Sequence, residues 1–210
     1  MAKVVAVTQS ASSLAEVEAR FNLSRNQDMA FFLEWQAPFS EVSEKEAGSL
    51  DLVYRRLQYH RADGELLEGA VTLLVVSPLL ELADLYDPPF KLKSEASIEI
   101  AVDDGEETLR GRIDALILQN QLWVIVVEAK KTTIPLRSAL PQLLTYLMAN
   151  PIPDRSVFGL ITNGDEVLFV KLSQTPAAQY DISRAFSLYT VRSELTQVLQ
   201  ILKKISKIIA

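Results

Sequence analysis

The chain has 210 residues, 49% of them hydrophobic, and a formal net charge of −6. It lacks cysteine and has one histidine, His60, which excludes disulfides, cysteine-ligated zinc and any histidine-cluster metal site. The acidic balance argues against nonspecific nucleic-acid binding by the whole surface, while a local basic groove stays compatible with it. The length suits one compact domain, divided here into an N-terminal helical region over residues 1–62 and a core over residues 63–210. Met1–Ser10 has no secretory pattern, and the longest apolar run, Ala70–Leu80, is too short to span a bilayer. With no cysteines, this fits a reducing, cytoplasmic setting.

In chain order, Lys3–Thr8 is a short β-like run. Ser13 caps a helix with Glu16 three residues on, and Leu14, Val17 and Phe21 mark its apolar face. Asp28–Gln36 holds Phe31, Phe32 and Trp35, which suit either core packing or stacking on bases. Ser43 caps a second helix, predicted to run to Ala62, with Glu46 at its third position and a stripe of Leu50, Val53, Tyr54 and Leu57. Arg55, Arg56 and Arg61 lie on or near another face, either solvated or turned to phosphate, and His60 sits exposed near the helix end. Asp63-Gly64 breaks the chain. Glu65–Tyr86 reads as one long buried helix kinked at Pro78, and Asp87-Pro88-Pro89 ends it. Ser97–Val102 alternates as a strand, Asp103-Asp104-Gly105 turns, and Thr108–Leu118 is the next strand.

The stretch from Gly111 to Lys131 then carries the chemistry. Two apolar strands are joined by a polar turn at Gln119–Gln121, yet Asp114, Glu128 and Lys130 lie within the run or at its end. A carboxylate among such residues is costly unless a cation or donor accompanies it. Glu128 and Lys130 share a strand face. A three-residue loop at Gln119–Gln121 pairs Leu118 with Leu122 and Asp114 with Val126, which sets Glu128 diagonally across from Asp114 on one face. A two-residue turn puts the carboxylates on opposite faces. Two converging carboxylates beside a lysine suit a hard divalent cation such as Mg²⁺. The alternative is a hydrogen-bonded buried aspartate and a solvated Glu128–Lys130 pair. Arg110 and Arg112 share the face of Asp114 by parity and suit phosphate or nearby acids.

Beyond Lys131, a loop leads to a helix capped by Ser138, with Pro141 in its first turn, running to Ala149 and carrying Gln142 and Tyr146 on one face. Val157–Ile161 and Glu166–Leu172 form a hairpin through Asn163-Gly164. Ser173–Ser183 reads as a loop. Val191–Ile209 is a closing helix with Leu195, Val198, Leu199, Leu202 and Ile205 inward and Lys203, Lys204 and Lys207 near its C-terminus.

Asp114, thirteen intervening residues, then Glu128-Ala129-Lys130, followed by Gln142, Tyr146 and Thr162-Asn163-Gly164, resembles the PD-(D/E)XK nuclease superfamily. The likeness is to the N-terminal nuclease domain of type I restriction enzyme R subunits, in a stand-alone form, over roughly Leu66 to Leu172. Ile113 stands where that motif has proline. The resemblance implies an α/β fold with a restriction-endonuclease-like core, a mixed sheet with an antiparallel meander flanked by helices. It implies a Mg²⁺-dependent nuclease (Mn²⁺ substituting) that hydrolyses DNA phosphodiester bonds, with Asp114, Glu128, the Ala129 carbonyl and Glu68 around the ion. Glu81 is the second candidate for the role of Glu68. Lys130 would act on water and transition-state charge, with Gln142 and Tyr146 beside the cleft. As partners it implies DNA and the helicase, translocase or specificity subunits of a restriction system, and it leaves room for a homodimer. The alternative within the same fold is a catalytically silent DNA-binding or assembly module.

Overall fold

The computed structural model describes residues 3–102, 107–119 and 122–209. Among these, nine strands share one mixed sheet: β1 (Lys3–Ala6), β2 (Ser24–Arg25), β3 (Phe90–Val102), β4 (Glu107–Gln119), β5 (Leu122–Ala129), β6 (Val157–Thr162), β7 (Glu166–Ser173), β8 (Gln179–Ile182) and β9 (Phe186–Ser187). The order is β1-β4-β5-β6-β7-β8-β2, with β3 also on β4 and β9 on β7. Strands β3, β4 and β5 form the expected antiparallel meander. Strands β5 and β6 are parallel, so a crossover must join them, and α6 (Leu136–Met148) is that crossover.

The meander has an uneven edge, and that edge positions the site. One side of β4 carries β3 along its whole length. The other side carries β1, in parallel, from Glu107 to Arg110, and β5 from Ala115 to Gln119. Gly111–Asp114 thus falls between two partners on that edge.

Helices cover both faces. Helix α1 (Val7–Ser10), α2 (Leu14–Phe21) and α6 cover one core, built on Val17, Leu143, Tyr146, Leu147 and the strand residues Ile113, Leu116 and Val126. Helix α3 (Glu44–Arg61), the segment α4 (Glu68–Val71) to α5 (Ser77–Leu82), and α7 (Arg192–Ile209) cover the other, against Ile117, Ile125 and Val127. The predicted inward face of α7, Leu195, Val198, Leu199, Leu202 and Ile205, is fully buried. Each such side chain contributes about 1.5–3 kcal/mol relative to exposure. Ser43 and Glu46 form the expected reciprocal cap of α3, and Ser13 accepts the Glu16 N–H at the start of α2. No helix among the described residues is long and apolar enough to cross a membrane.

Several elements depart from the sequence expectation. The long helix predicted over Glu65–Tyr86 is two short α-helices separated by a π-helical turn at Thr72–Val76. Pro78 supplies no N–H to that turn, so a wider loop of hydrogen bonds carries the chain past it. Strand β3 begins at Phe90, seven residues before the predicted Ser97, because Lys91, Lys93 and Glu95 are exposed and leave no apolar alternation to read. The predicted loop Ser173–Ser183 contains β8, a four-residue strand held between β7 and β2. Helix α6 starts at Leu136 after an extended Pro135, not on a Ser138 cap, and the Ser138 hydroxyl donates to the Pro135 carbonyl instead. Pro141 therefore lies in the second turn.

The aromatic patch of residues 28–36 packs rather than offering a stacking platform. Phe32 is fully buried against Phe158, with ring centroids 6.1 Å apart, and Phe31 and Trp35 lie on the same core. Lys204 of α7 pins this segment down. Lys204 donates to the carbonyls of Leu33 and Gln36, and Lys203 pairs with Glu46.

Candidate active site

The register that brings the acids together differs from the expected one. Gln119 pairs with Leu122 and Leu118 with Trp123, so two residues rather than three separate the paired ends, and these, Asn120 and Gln121, lie outside the described residues. Such a connection alone sends the two carboxylates to opposite faces. A β-bulge reverses this: beyond Leu118 the register shifts, and Ile117 pairs with Ile125. Val124 is the extra residue, and it packs into the same core as its neighbour Ile125. The shifted register continues through Ala115 opposite Val127, which sets Asp114 directly opposite Glu128 rather than diagonally across from it. Both then share the face of Leu116 and Val126, the face covered by α6.

Each acid is held differently. Asp114 Oδ2 accepts the Ala129 N–H at 2.7 Å, a bond across the gap where β5 leaves β4. Burial pushes its carboxyl pKa up, against the pull of that N–H and of Lys130. The Glu128 side chain is 1% exposed, and Lys130 Nζ donates to its Oε1 at 2.6 Å. Its second oxygen, Oε2, is buried with no hydrogen-bond partner among the described residues. Burial, and then the charge of Asp114, push the Glu128 carboxyl from 4.5 up to about 7, with Lys130 opposing. Glu68, at the start of α4, is exposed and brings Oε1 to 4.0 Å from Lys130 Nζ. Glu81 does not join the group: it lines a separate groove with Glu46 and Arg56.

Tyr146 is 1% exposed, so it underlies the site rather than lining a cleft. Gln142 Nε2 donates to its hydroxyl at 2.9 Å, and burial with the nearby Glu128 charge pushes that hydroxyl up to about 12. The ring is seated against Gly111, where an added Cβ would come within 2.5 Å of Tyr146 Cε1. Gly111→Ala is therefore expected to destabilise the protein by roughly 1–3 kcal/mol through overpacking, read as a lower midpoint in denaturant melts. An unchanged midpoint would mean that the ring moves aside freely.

Arg110 and Arg112, expected on the Asp114 face, are turned outward, because Leu109, Gly111 and Ile113 between them face the α6 side; Arg110 pairs with Glu99 at 2.8 Å and Arg112 with Glu95 at 3.6 Å, all well exposed. On α3, Arg61 is bound to Asp165 at 2.8 Å. His60 is exposed and stacks edge-on with Tyr59, far from any acid–base role suggested by this geometry.

Sequence reasoning passed over one set of residues. After Lys130 the chain is clamped from two sides: Thr132 exchanges hydrogen bonds with Leu66, and Asn163 donates to the Ile134 carbonyl at 3.0 Å. The signal lies in Thr162-Asn163-Gly164, whose turn chemistry accounts for the glycine but not for the donor end of Asn163.

A half-buried aspartate and a buried glutamate thus face one another across the meander of an α/β sheet, with a lysine on the glutamate. Residues 80–178, just under half of the chain, match the family described as Type I restriction enzyme R protein N terminus (HSDR_N). The chain thus resembles the N-terminal domain of type I restriction R proteins, over a span that includes Asp114, Glu128, Lys130, Gln142 and Tyr146 but not Glu68. A solved structure similar to it is a fragment assigned as an HsdR subunit of a type I restriction enzyme from Vibrio vulnificus YJ016. It has 22% sequence identity and a TM-score of 0.42, covering 65% of this chain and 26% of that one. The chain therefore spans about a quarter of that relative's length. No curated protein matches the chain.

Proposed function

We propose that this chain is a divalent-metal-dependent nuclease acting on DNA phosphodiester bonds, in the manner of a type I restriction R-subunit nuclease domain. The observation that carries the reading is the buried, unpartnered Oε2 of Glu128 on the same face as Asp114. A buried carboxylate oxygen without a donor is rare and asks for a partner. Oxygen donors from one or two carboxylates suit Mg²⁺. Asp114 would offer Oδ1, since Oδ2 is committed to the Ala129 N–H. Glu128, the Ala129 carbonyl and Glu68 complete the donors proposed for the ion. When bound, such an ion polarises the phosphodiester and lowers the pKa of a coordinated water.

The chain's own residues supply the rest. Lys130 neutralises Glu128 in the resting state and swings its ammonium toward the attacking water and the charge growing on the phosphate. Tyr146, held by Gln142 and seated on Gly111, supports the strand that carries Asp114. DNA and the other subunits of a restriction system are the proposed partners.

One observation favours a second reading, a nuclease-like DNA-binding or assembly module that does not cut. Lys130 occupies Oε1 of Glu128, and among the described residues no three acidic or histidine side chains gather as a ready ion cage. Metal removal separates the two readings. Supercoiled and single-stranded DNA incubated with the protein and Mg²⁺ or Mn²⁺ is expected to be cut, and chelation by EDTA to stop it. Cutting that persists with Asp114→Ala would point to a contaminant. Absence of both cutting and ion binding, the latter followed by calorimetry, would leave the module reading standing.

A further inference from the structure

Asn163 stands in the turn between β6 and β7 and is 4% exposed. Its carboxamide works in two directions. Oδ1 accepts the N–H groups of Asp165 at 3.1 Å and Glu166 at 2.9 Å, which closes the hairpin. Nδ2 donates to the carbonyls of Ile134 at 3.0 Å and Thr132 at 3.5 Å, in the loop that follows Lys130. That loop is tied at two further points. The Lys130 N–H donates to the Thr162 carbonyl at 2.8 Å. Thr132 gives its N–H to the Leu66 carbonyl at 3.1 Å, and its hydroxyl accepts the Leu66 N–H at 3.1 Å. Leu66 lies two residues before Glu68.

We infer that Asn163 is a positioning residue: through the Thr132–Ile134 carbonyls it fixes the loop that aims Lys130 at Glu128 and that anchors the chain leading to Glu68. This rests on the nuclease reading for its catalytic consequence but not for its mechanical one. The side chain is chosen for having both an acceptor and a donor end. A carboxylate of the same shape keeps the two bonds that close the hairpin and turns the two bonds to the loop into repulsions. A glycine follows at 164 because the turn needs φ +88° there. The turn therefore explains Gly164 but leaves the donor end of Asn163 without a role in the hairpin.

Asn163→Asp in the full chain is the test, with amide hydrogen exchange as the readout that needs neither metal nor DNA. The amides of Leu66, Lys130 and Thr132 are expected to exchange roughly 10-fold faster or more as the loop opens locally, while those of the β6–β7 ladder keep their protection. With Mg²⁺ and DNA, kcat is expected to fall roughly 10- to 100-fold with KM within about twofold, as when a support behind a metal ligand is lost. Unchanged exchange at Leu66 and Thr132, or equal loss of protection in the β6–β7 ladder, would overturn the inference. So would faster exchange with wild-type kcat. Thr132→Val, which removes only the hydroxyl contact to Leu66, should speed exchange at Leu66 but not at Asp165 or Glu166. If it leaves Leu66 unchanged, the clamp is not real. A wild-type protein that never cuts DNA would sink the nuclease reading alone, and the exchange result would still decide the loop.

Discussion

Lys130→Met is expected to slow DNA cleavage by roughly 10²- to 10³-fold, the loss typical of removing one donor aimed at developing charge. Methionine keeps the length and apolar stem of the side chain but not the ammionium that sits 2.6 Å from Glu128 Oε1. The effect on stability depends on pH. At pH 8 the variant leaves a buried carboxylate with no cation, and breaking such a pair costs about 3–5 kcal/mol. At pH 6 the cost is much smaller, because Glu128 already holds its proton up to about 7 and takes it up more readily once the lysine is gone. Plasmid nicking at fixed Mg²⁺ checks the rate, and melts at the two pH values check the stability. Wild-type cleavage by the variant would remove Lys130 from the chemistry, and an equal stability loss at both pH values would mean that it does not neutralise Glu128.

Glu128→Gln should do the opposite to stability while abolishing cleavage. The folded protein holds the Glu128 proton more tightly than the unfolded chain does, with a carboxyl raised from 4.5 to about 7. As pH rises from about 4.5 the unfolded state ionises first, so this group draws stability away through that window, and above about 7 the penalty is constant. Its full size is roughly 3–4 kcal/mol on the scale of 1.36 kcal/mol per pKa unit. An amide of the same shape carries no such penalty. The variant is therefore expected to melt higher than wild type at pH 8, to match it near pH 5, and to bind no ion. A divalent ion, by contrast, should raise the melting temperature of wild type more at pH 8 than at pH 6, since it binds the ionised form. A variant whose melting temperature keeps the wild-type dependence on pH would show that Glu128 titrates as an ordinary carboxyl.

Much of this site is legible from residue spacing. Asp114 followed by Glu128-Ala129-Lys130, inside an apolar β-rich run, identifies the strands and their charged cargo. The alternation rule places Glu128 and Lys130 together. What the rule could not supply is the bulge. Val124 stands in a row of valine and isoleucine with no glycine to mark a kink, and its only signature is a side chain packed on the same side as the next one. The three-residue loop inferred from parity reached the correct face by the wrong route.

The elements missed lie where side chains face water or where the backbone yields to proline. Lys91, Lys93 and Glu95 hide the first half of β3, because an exposed edge needs no apolar alternation. Pro78 signals an interruption, but only the packed helices decide that the backbone answers with a π-helical turn. Asn163 reads as a turn residue from its neighbours. Its second task depends on Thr132 and Ile134, some thirty positions earlier, and no local pattern contains that distance.

The extra valine and the short connection have a joint consequence. Each displaces the pairing of β4 and β5 by an odd step, and the two odd steps cancel. Connector length and strand irregularity are thus interchangeable parts of one counting rule. A chain with one more residue between Gln119 and Leu122 keeps its acids on a common side only by giving up the insertion at Val124. Two such chains would look misaligned by one position through the hairpin and yet present the same pair of acids.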